Sequence, residues 1–260
     1  MNQLPEVFIY NDIDSFNHVI DQLSNAPEIH QAIDALLQEL AKQKNVRMRK
    51  LDDFINIFSQ KFSFPAFAHT IGIGDSGVTV ARAINEKTKW FPSISTVPLR
   101  HLFFPDGDSD VIVAGKGRLI DYLDKVNVPL AIVDDTLWGG KTLMTVIDEL
   151  PSKILPETRV FCLQALRSGI QKIQSYCPVT AAVIVNGSSE NEATIIKASE
   201  LFRKTNLSVG DQPYNGYSDY PGHMKLWFGA QAMSINRLAH TIQRLLPKNI
   251  LIDALKNPVF

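Results

Sequence analysis

The chain has 260 residues with 26 basic against 27 acidic side chains, and a net charge of −1 gives no general electrostatic pull toward nucleic acid or an anionic membrane. Hydrophobic residues make up 45%, enough for one large core or a core with a cap, yet no stretch approaches the ~18 consecutive apolar residues of a membrane span. Cys162 and Cys177 form no CxxC and have no histidine at metal-ligand spacing, so they read as reduced packing thiols, and the expected location is cytoplasmic.

The first quarter reads as helical after a short apolar start at residues 7–10. Asp14 or Ser15 is placed to cap a helix over 16–23. Pro27 opens a second helix over 28–42, with Ile29, Ile33, Leu36, Leu37 and Leu40 on one face. A third stripe, Leu51, Phe54, Ile55 and Phe58, repeats the pattern over 51–62. His18, His30 and His240 lie in helical patterns and read as structural.

From about residue 64 short apolar runs alternate with helical patterns. The runs fall at 68–73, 94–99, 130–133, 160–165 and 180–185. The helical patterns fall at 78–87, 118–126, 142–150 and 170–176. This repetition predicts an α/β domain with a parallel sheet, its strands buried on both faces. Ligands of such sheets bind beyond the carboxyl ends of the strands. Residues 103–117 read as a long loop. After residue 186 a helix is expected over 190–204, an irregular loop over 208–223 and mostly helix over 225–246. The predicted division is a helical N-terminal cap (1–64), an α/β core (65–187) and a C-terminal hood of helix and loop (188–260).

Two loops carry chemistry. In the first, a strand ends in Gly72, Gly74 and Gly77 and a helix follows, formally a GxGxxG. A dinucleotide site would also need an acid about 20 residues on, at the end of the next strand. That strand ends in Ser95, Thr96 and Val97, and no acid appears before Asp106, which disfavours a nicotinamide or flavin oxidoreductase.

In the second loop an apolar strand runs into Asp134 and Asp135, then Trp138, Gly139, Gly140, Lys141 and Thr142, and a helix. Two glycines allow a tight turn that brings N–H groups against an anion. The following helix adds its own free N–H groups and dipole, and Thr142 a hydroxyl. Adjacent carboxylates at a strand end accept hydrogen bonds from vicinal sugar hydroxyls. A Walker A loop is excluded, because Asp135 stands where its first glycine must be.

The order strand, Asp134, Asp135, glycine loop, Thr142, helix resembles the phosphoribosyl pyrophosphate (PRPP) signature of type I phosphoribosyltransferases. The resemblance covers roughly residues 68–186. It implies a parallel α/β core with helical caps and a transferase that moves ribose 5-phosphate from Mg²⁺-bound PRPP to a nitrogen acceptor, releasing pyrophosphate. Asp134 and Asp135 would hold the ribose hydroxyls, with Asp135 also a candidate Mg²⁺ contact. Residues Trp138, Gly139, Gly140, Lys141 and Thr142 would wrap the 5-phosphate. Gly74, Asp75, Ser76 and Gly77 would form the pyrophosphate loop, with an unusual cis peptide near Asp75–Ser76. Arg100, and behind it His101, would reach the pyrophosphate. Residues 103–117 would be the catalytic lid, with Lys116 and Arg118 supplying charge.

The hood would recognise the acceptor, and Tyr214, Tyr217 and Asp219 are the candidates there; a surface loop of packed tyrosines is the competing reading. Trp138 stands where the family usually has threonine or, in 6-oxopurine enzymes, an aspartate, which points away from hypoxanthine or guanine. Small-molecule partners are expected, with no nucleic acid and no membrane. A homodimer and a non-catalytic regulator sensing PRPP or a nucleotide both stay open.

Overall fold

The computed structural model describes residues 4–97, 99–103, 109–113, 128–187, 192–202, 205–209, 212–214 and 216–247. In chain order the elements are β1 (Glu6–Asn11), α1 (Asn17–Ile20), α2 (Ala26–Ala41), β2 (Val46–Lys50), α3 (Leu51–Lys61), β3 (His69–Ile73), α4 (Gly74–Thr88) and β4 (Ile94–Val97). There follow β5 (Leu99–Phe103), β6 (Ser109–Val113), β7 (Leu130–Leu137), α5 (Lys141–Ile147), β8 (Thr158–Leu166), α6 (Arg167–Ile173) and β9 (Val179–Val185). The last are β10 (Ala193–Lys197), β11 (Thr205–Val209), β12 (Gln212–Tyr214), α7 (Pro221–Phe228) and α8 (Ala232–Leu245).

These elements form two compact units, one of Met1–Lys50 with Ser189–Phe260 and one of Leu51–Ser188. The divisions fall at 50/51 and 188/189, not at 64/65 and 187/188. The terminal extensions also carry strands that the sequence did not predict: β1 lies between β10 and β2 in a three-stranded parallel sheet, with Glu6 opposite Ala193 and Val7 opposite Val46. The expected helix over 190–204 is therefore replaced in part by a strand. Thr194, Ile195 and Ile196 are β-branched and buried, a composition that suits a strand covered on both faces. Residues 7–10 are the middle of β1 rather than the start of a helical cap. The segment 208–223 is not wholly irregular either, since β11 pairs antiparallel with β12 and a 3-10 turn covers Tyr217–Asp219.

The other unit carries a five-stranded parallel sheet in the order β4-β3-β7-β8-β9, flanked by helices. This is the parallel-sheet α/β layout expected for the core, with N- and C-terminal extensions outside it. One face of the sheet packs on α5 and α6 through Leu143, Val146, Ile147, Ile170 and Ile173 against Ile132, Val160 and Cys162. On β8 the next residue, Phe161, belongs to an aromatic cluster. Its ring centroid lies 5.0 Å from Phe91, 5.3 Å from Phe67 and 5.4 Å from Phe64. The alternation of Phe161 and Cys162 divides the two faces. Full burial of such a ring contributes roughly 2–3 kcal/mol.

Part of the segment 103–117 departs from the loop reading, because Ser109–Val113 pairs antiparallel with Leu99–Phe103. The apolar run Val111, Ile112 and Val113 has β propensity that the surrounding glycines and acids mask in a longer window. The helix expected over 118–126 lies outside the described residues.

Candidate functional site

The chain leaves β3 through α4 to reach β4 on one side, and β7 then adds on the other side of β3. The carboxyl ends of β3 and β7 thus flank a topological switch point, where open α/β sheets form a crevice. Both motifs of the sequence meet there: α4 begins at Gly74 directly after β3, and Asp134 and Asp135 lie near the end of β7.

The two acids are not in a surface loop. The ladder between β7 and β8 continues through Asp134, opposite Cys162, to Leu137, opposite Ala165. By contrast, pairing with β3 stops at Gly72 opposite Val133, so β7 overruns β3 by the residues that matter. Both carboxylates are buried, Asp134 at 7% exposure and Asp135 at 4%. Asp134 Oδ1 accepts the Asp135 N–H at 2.8 Å. The Cys162 thiol lies within reach of both charges. Its pKa is held well above the ordinary value by burial first, then by Asp134 and Asp135. Cys177 is pushed up to about 11, again by burial, with Arg159 opposing. Both thiols thus stay protonated and inert, as packing residues do. Next to the acids, Thr136 Oγ1 is buried without a hydrogen-bond partner among the described residues.

The glycine loop is built differently from the sequence expectation. The helix after it, α5, spans only Lys141–Ile147, two turns rather than the nine residues expected over 142–150, so its dipole is a minor contributor. Gly140 has φ +80°, a left-handed conformation that favours glycine. The helix expected over 170–176 is present as α6, Arg167–Ile173, and what the sequence did not show is that it underlies the loop. A Cβ on Gly169 would sit 2.1 Å from the Trp138 carbonyl oxygen, so only glycine lets α6 approach this closely. Lys172 Nζ donates to the Gly139 carbonyl oxygen at 3.3 Å. The only local signal was a glycine three residues after a strand.

At β3 the expected pyrophosphate loop is absent as a loop. Gly74, Asp75, Ser76 and Gly77 form the first turn of α4, and the cis peptide expected near Asp75–Ser76 is not there; among the described residues the one cis bond is Val128–Pro129. Two of the three glycines have packing reasons. A Cβ on Gly72 would lie 2.6 Å from Val78 Cγ2, and one on Gly77 would lie 2.4 Å from the Val133 carbonyl oxygen. Gly74 instead turns the chain, with φ +57°. The Asp75 carboxyl is raised above its usual range by partial burial at this turn. Arg100 falls within β5, where only the backbone is described, and Lys116 and Arg118 lie outside the described residues.

The acceptor candidates belong to the other unit. Tyr214 is in β12. Tyr217 stacks on His223 at 6.0 Å and meets the Trp227 ring edge-on at 4.8 Å. Asp219 lies 3.7 Å from His240 Nδ1. Among the described residues no group of three or more His, Cys, Asp or Glu is arranged to hold a metal ion, and no helix is long and apolar enough to cross a membrane.

No protein-family model and no curated protein matches the chain. Similar solved structures do exist. A hypothetical protein from Neisseria gonorrhoeae with bound ppGpp is 15% identical, with a TM-score of 0.42 over 92% of this chain and 98% of that one. A purine phosphoribosyltransferase from Pyrococcus horikoshii is 13% identical, with a TM-score of 0.33 over 74% and 92%. A xanthine-guanine-hypoxanthine phosphoribosyltransferase from Helicobacter pylori is 10% identical, with a TM-score of 0.31 over 56% and 84%.

Proposed function

We propose that the chain binds PRPP at the switch point and transfers ribose 5-phosphate to a nitrogen acceptor, releasing pyrophosphate. The observation that carries this is one stretch of chain, Asp134 to Thr142. It joins two buried carboxylates to a glycine loop at the carboxyl edge of a parallel sheet. Carboxylates accept from vicinal hydroxyls, and glycine N–H groups donate to phosphate; a sugar phosphate with a free diol offers both. The first turn of α4, with Gly74, Asp75, Ser76 and Gly77, begins at the carboxyl end of the neighbouring strand β3 and would receive the pyrophosphate.

In the reaction the acceptor nitrogen forms a bond to C1 as the C1–O bond to pyrophosphate breaks, through an oxocarbenium-like transition state. The protein contributes position and electrostatics. Mg²⁺ keeps most of its waters and takes one or two carboxylates besides phosphate oxygens, so Asp135 fits an ion carried in by PRPP. Bound in that way, the ion would neutralise the departing pyrophosphate. Arg100 and Lys116 are proposed as further positive charges.

Calorimetry with PRPP, with and without Mg²⁺, tests the reading. The expected result is micromolar, Mg²⁺-dependent binding that Asp134→Asn with Asp135→Asn weakens about a hundredfold, from two lost charge-assisted hydrogen bonds. Unchanged affinity in the folded double variant would refute the site. Binding with no pyrophosphate release across a panel of nucleobases and related heterocycles would identify a PRPP-sensing regulator in place of an enzyme.

A further inference from the structure

The Trp138 carbonyl oxygen abuts Gly169 of α6, at the place where a side chain would begin. The next carbonyl, of Gly139, accepts from Lys172 one turn further along the same helix, at 3.3 Å. A trans peptide is planar, with its C=O and the following N–H antiparallel. Two consecutive carbonyls aimed at α6 therefore aim two consecutive N–H groups, those of Gly139 and Gly140, away from it. Among the described residues neither N–H has a backbone hydrogen-bond partner. The Gly140 conformation belongs to the same arrangement: a Cβ there would lie 3.5 Å from Ile173 Cδ1 and 3.6 Å from the Gly169 carbonyl oxygen, so the turn is seated on α6.

From this we infer that Lys172 is a positioning residue for the phosphate loop: its ammonium fixes the Gly139–Gly140 peptide plane, so that the Gly140 N–H is presented to the 5-phosphate. The inference rests on the PRPP reading of the site and deepens it. Lys172 acts through the peptide and need not touch the ligand. An ammonium on the carbonyl oxygen also polarises the peptide and makes its N–H a stronger donor, since hydrogen bonds in a chain reinforce one another. Without the lysine the loop is free to rotate this peptide, and the carbonyl can then turn toward the anion.

The experiment compares wild type, Lys172→Met, Lys172→Arg and Gly169→Ala in the full chain. The probes are PRPP with Mg²⁺, ribose 5-phosphate and inorganic pyrophosphate, measured by calorimetry. Lys172 is exposed, so its removal leaves the core intact. Lys172→Met is expected to weaken PRPP and ribose 5-phosphate about tenfold, the lower range for a lost charged hydrogen bond. Pyrophosphate affinity should not change, and Lys172→Arg should restore the phosphate ligands to within about threefold, because a guanidinium keeps the donor and the charge. Gly169→Ala, which displaces the Trp138 carbonyl, should show the same ligand selectivity. Wild-type affinity in Lys172→Met overturns the inference, and so does a loss spread equally over pyrophosphate. Failure of wild type itself to bind PRPP and ribose 5-phosphate overturns the underlying reading instead.

Discussion

Asp12 and Ser199 are 187 positions apart in the chain, and the buried Asp12 carboxylate accepts both the Ser199 N–H, at 2.9 Å, and the Ser199 hydroxyl. The contact joins the end of β1 to the turn after β10, where Tyr10 O also accepts the Ala198 N–H at 2.9 Å. Asp12→Ala would leave a buried N–H and a buried hydroxyl without an acceptor. The expected loss is about 3 kcal/mol in urea unfolding followed by circular dichroism, with Asp12→Asn costing about half, since one side-chain oxygen remains. A loss below about 0.5 kcal/mol, the range of ordinary surface changes, would mean that the contact does not hold the unit together.

Gly77 and Gly139 both belong to glycine motifs, but their surroundings demand opposite outcomes. A Cβ on Gly77 meets the Val133 carbonyl oxygen at 2.4 Å, backbone that cannot step aside, whereas one on Gly139 meets nothing within 4 Å. Gly77→Ala should lift α4 off β7 and cost about 2–3 kcal/mol, as overpacking does. Gly139→Ala should stay within about 0.5 kcal/mol. Thermal and urea unfolding of the two variants side by side checks the contrast. Equal stabilities would show that α4 yields without cost.

The His69 imidazole is held below its ordinary pKa by burial. Between its folded and unfolded pKa values the unfolded chain binds more protons, so stability must rise with pH across that window. His69 therefore contributes stability that is fully present above the unfolded value, near 6.5, and lost as pH falls through the lower folded value. His69→Gln should flatten the stability–pH curve in that interval and leave it parallel to wild type above pH ~7. An identical slope in both proteins would contradict the assignment.

The core was readable because its strands are continuous apolar runs and its helices striped. Thus β3, β7 and β8 stand where the sequence put them, and the acids and glycine loop follow β7 in the expected order. What escaped depended on partners distant in the chain. The β2 run Val46, Arg47, Met48, Arg49, Lys50 does alternate, but three basic residues on a five-residue strand give little apolar signal. For β10, the buried side chains Thr194, Ile195 and Ile196 are followed by a helical-looking Ala198–Phe202 stretch, and its pairing with β1 is invisible to a local window. The acids read as loop because polarity ended the apolar run at Val133, although the ladder with β8 continues to Leu137. Gly169 and Lys172 escaped for a third reason. Their role comes from a segment 30 residues upstream, and no periodicity within α6 records it.

The pairing of β1 with β10 also orders events during synthesis. When β1 leaves the ribosome, β2 follows within some 40 residues, but β10 follows only after the whole of Leu51–Ser188 has been made. The inserted unit is continuous in sequence, so its sheet can close while the chain is still growing. The unit that holds both ends of the chain must wait, with the apolar side chains of Val7 and Ile9 lacking their β10 neighbours until Thr194 and Ile196 arrive. The part bearing the glycine loop is thus the earlier-folding part, and the sheet around β1 is the one exposed to misassembly until β10 has been made.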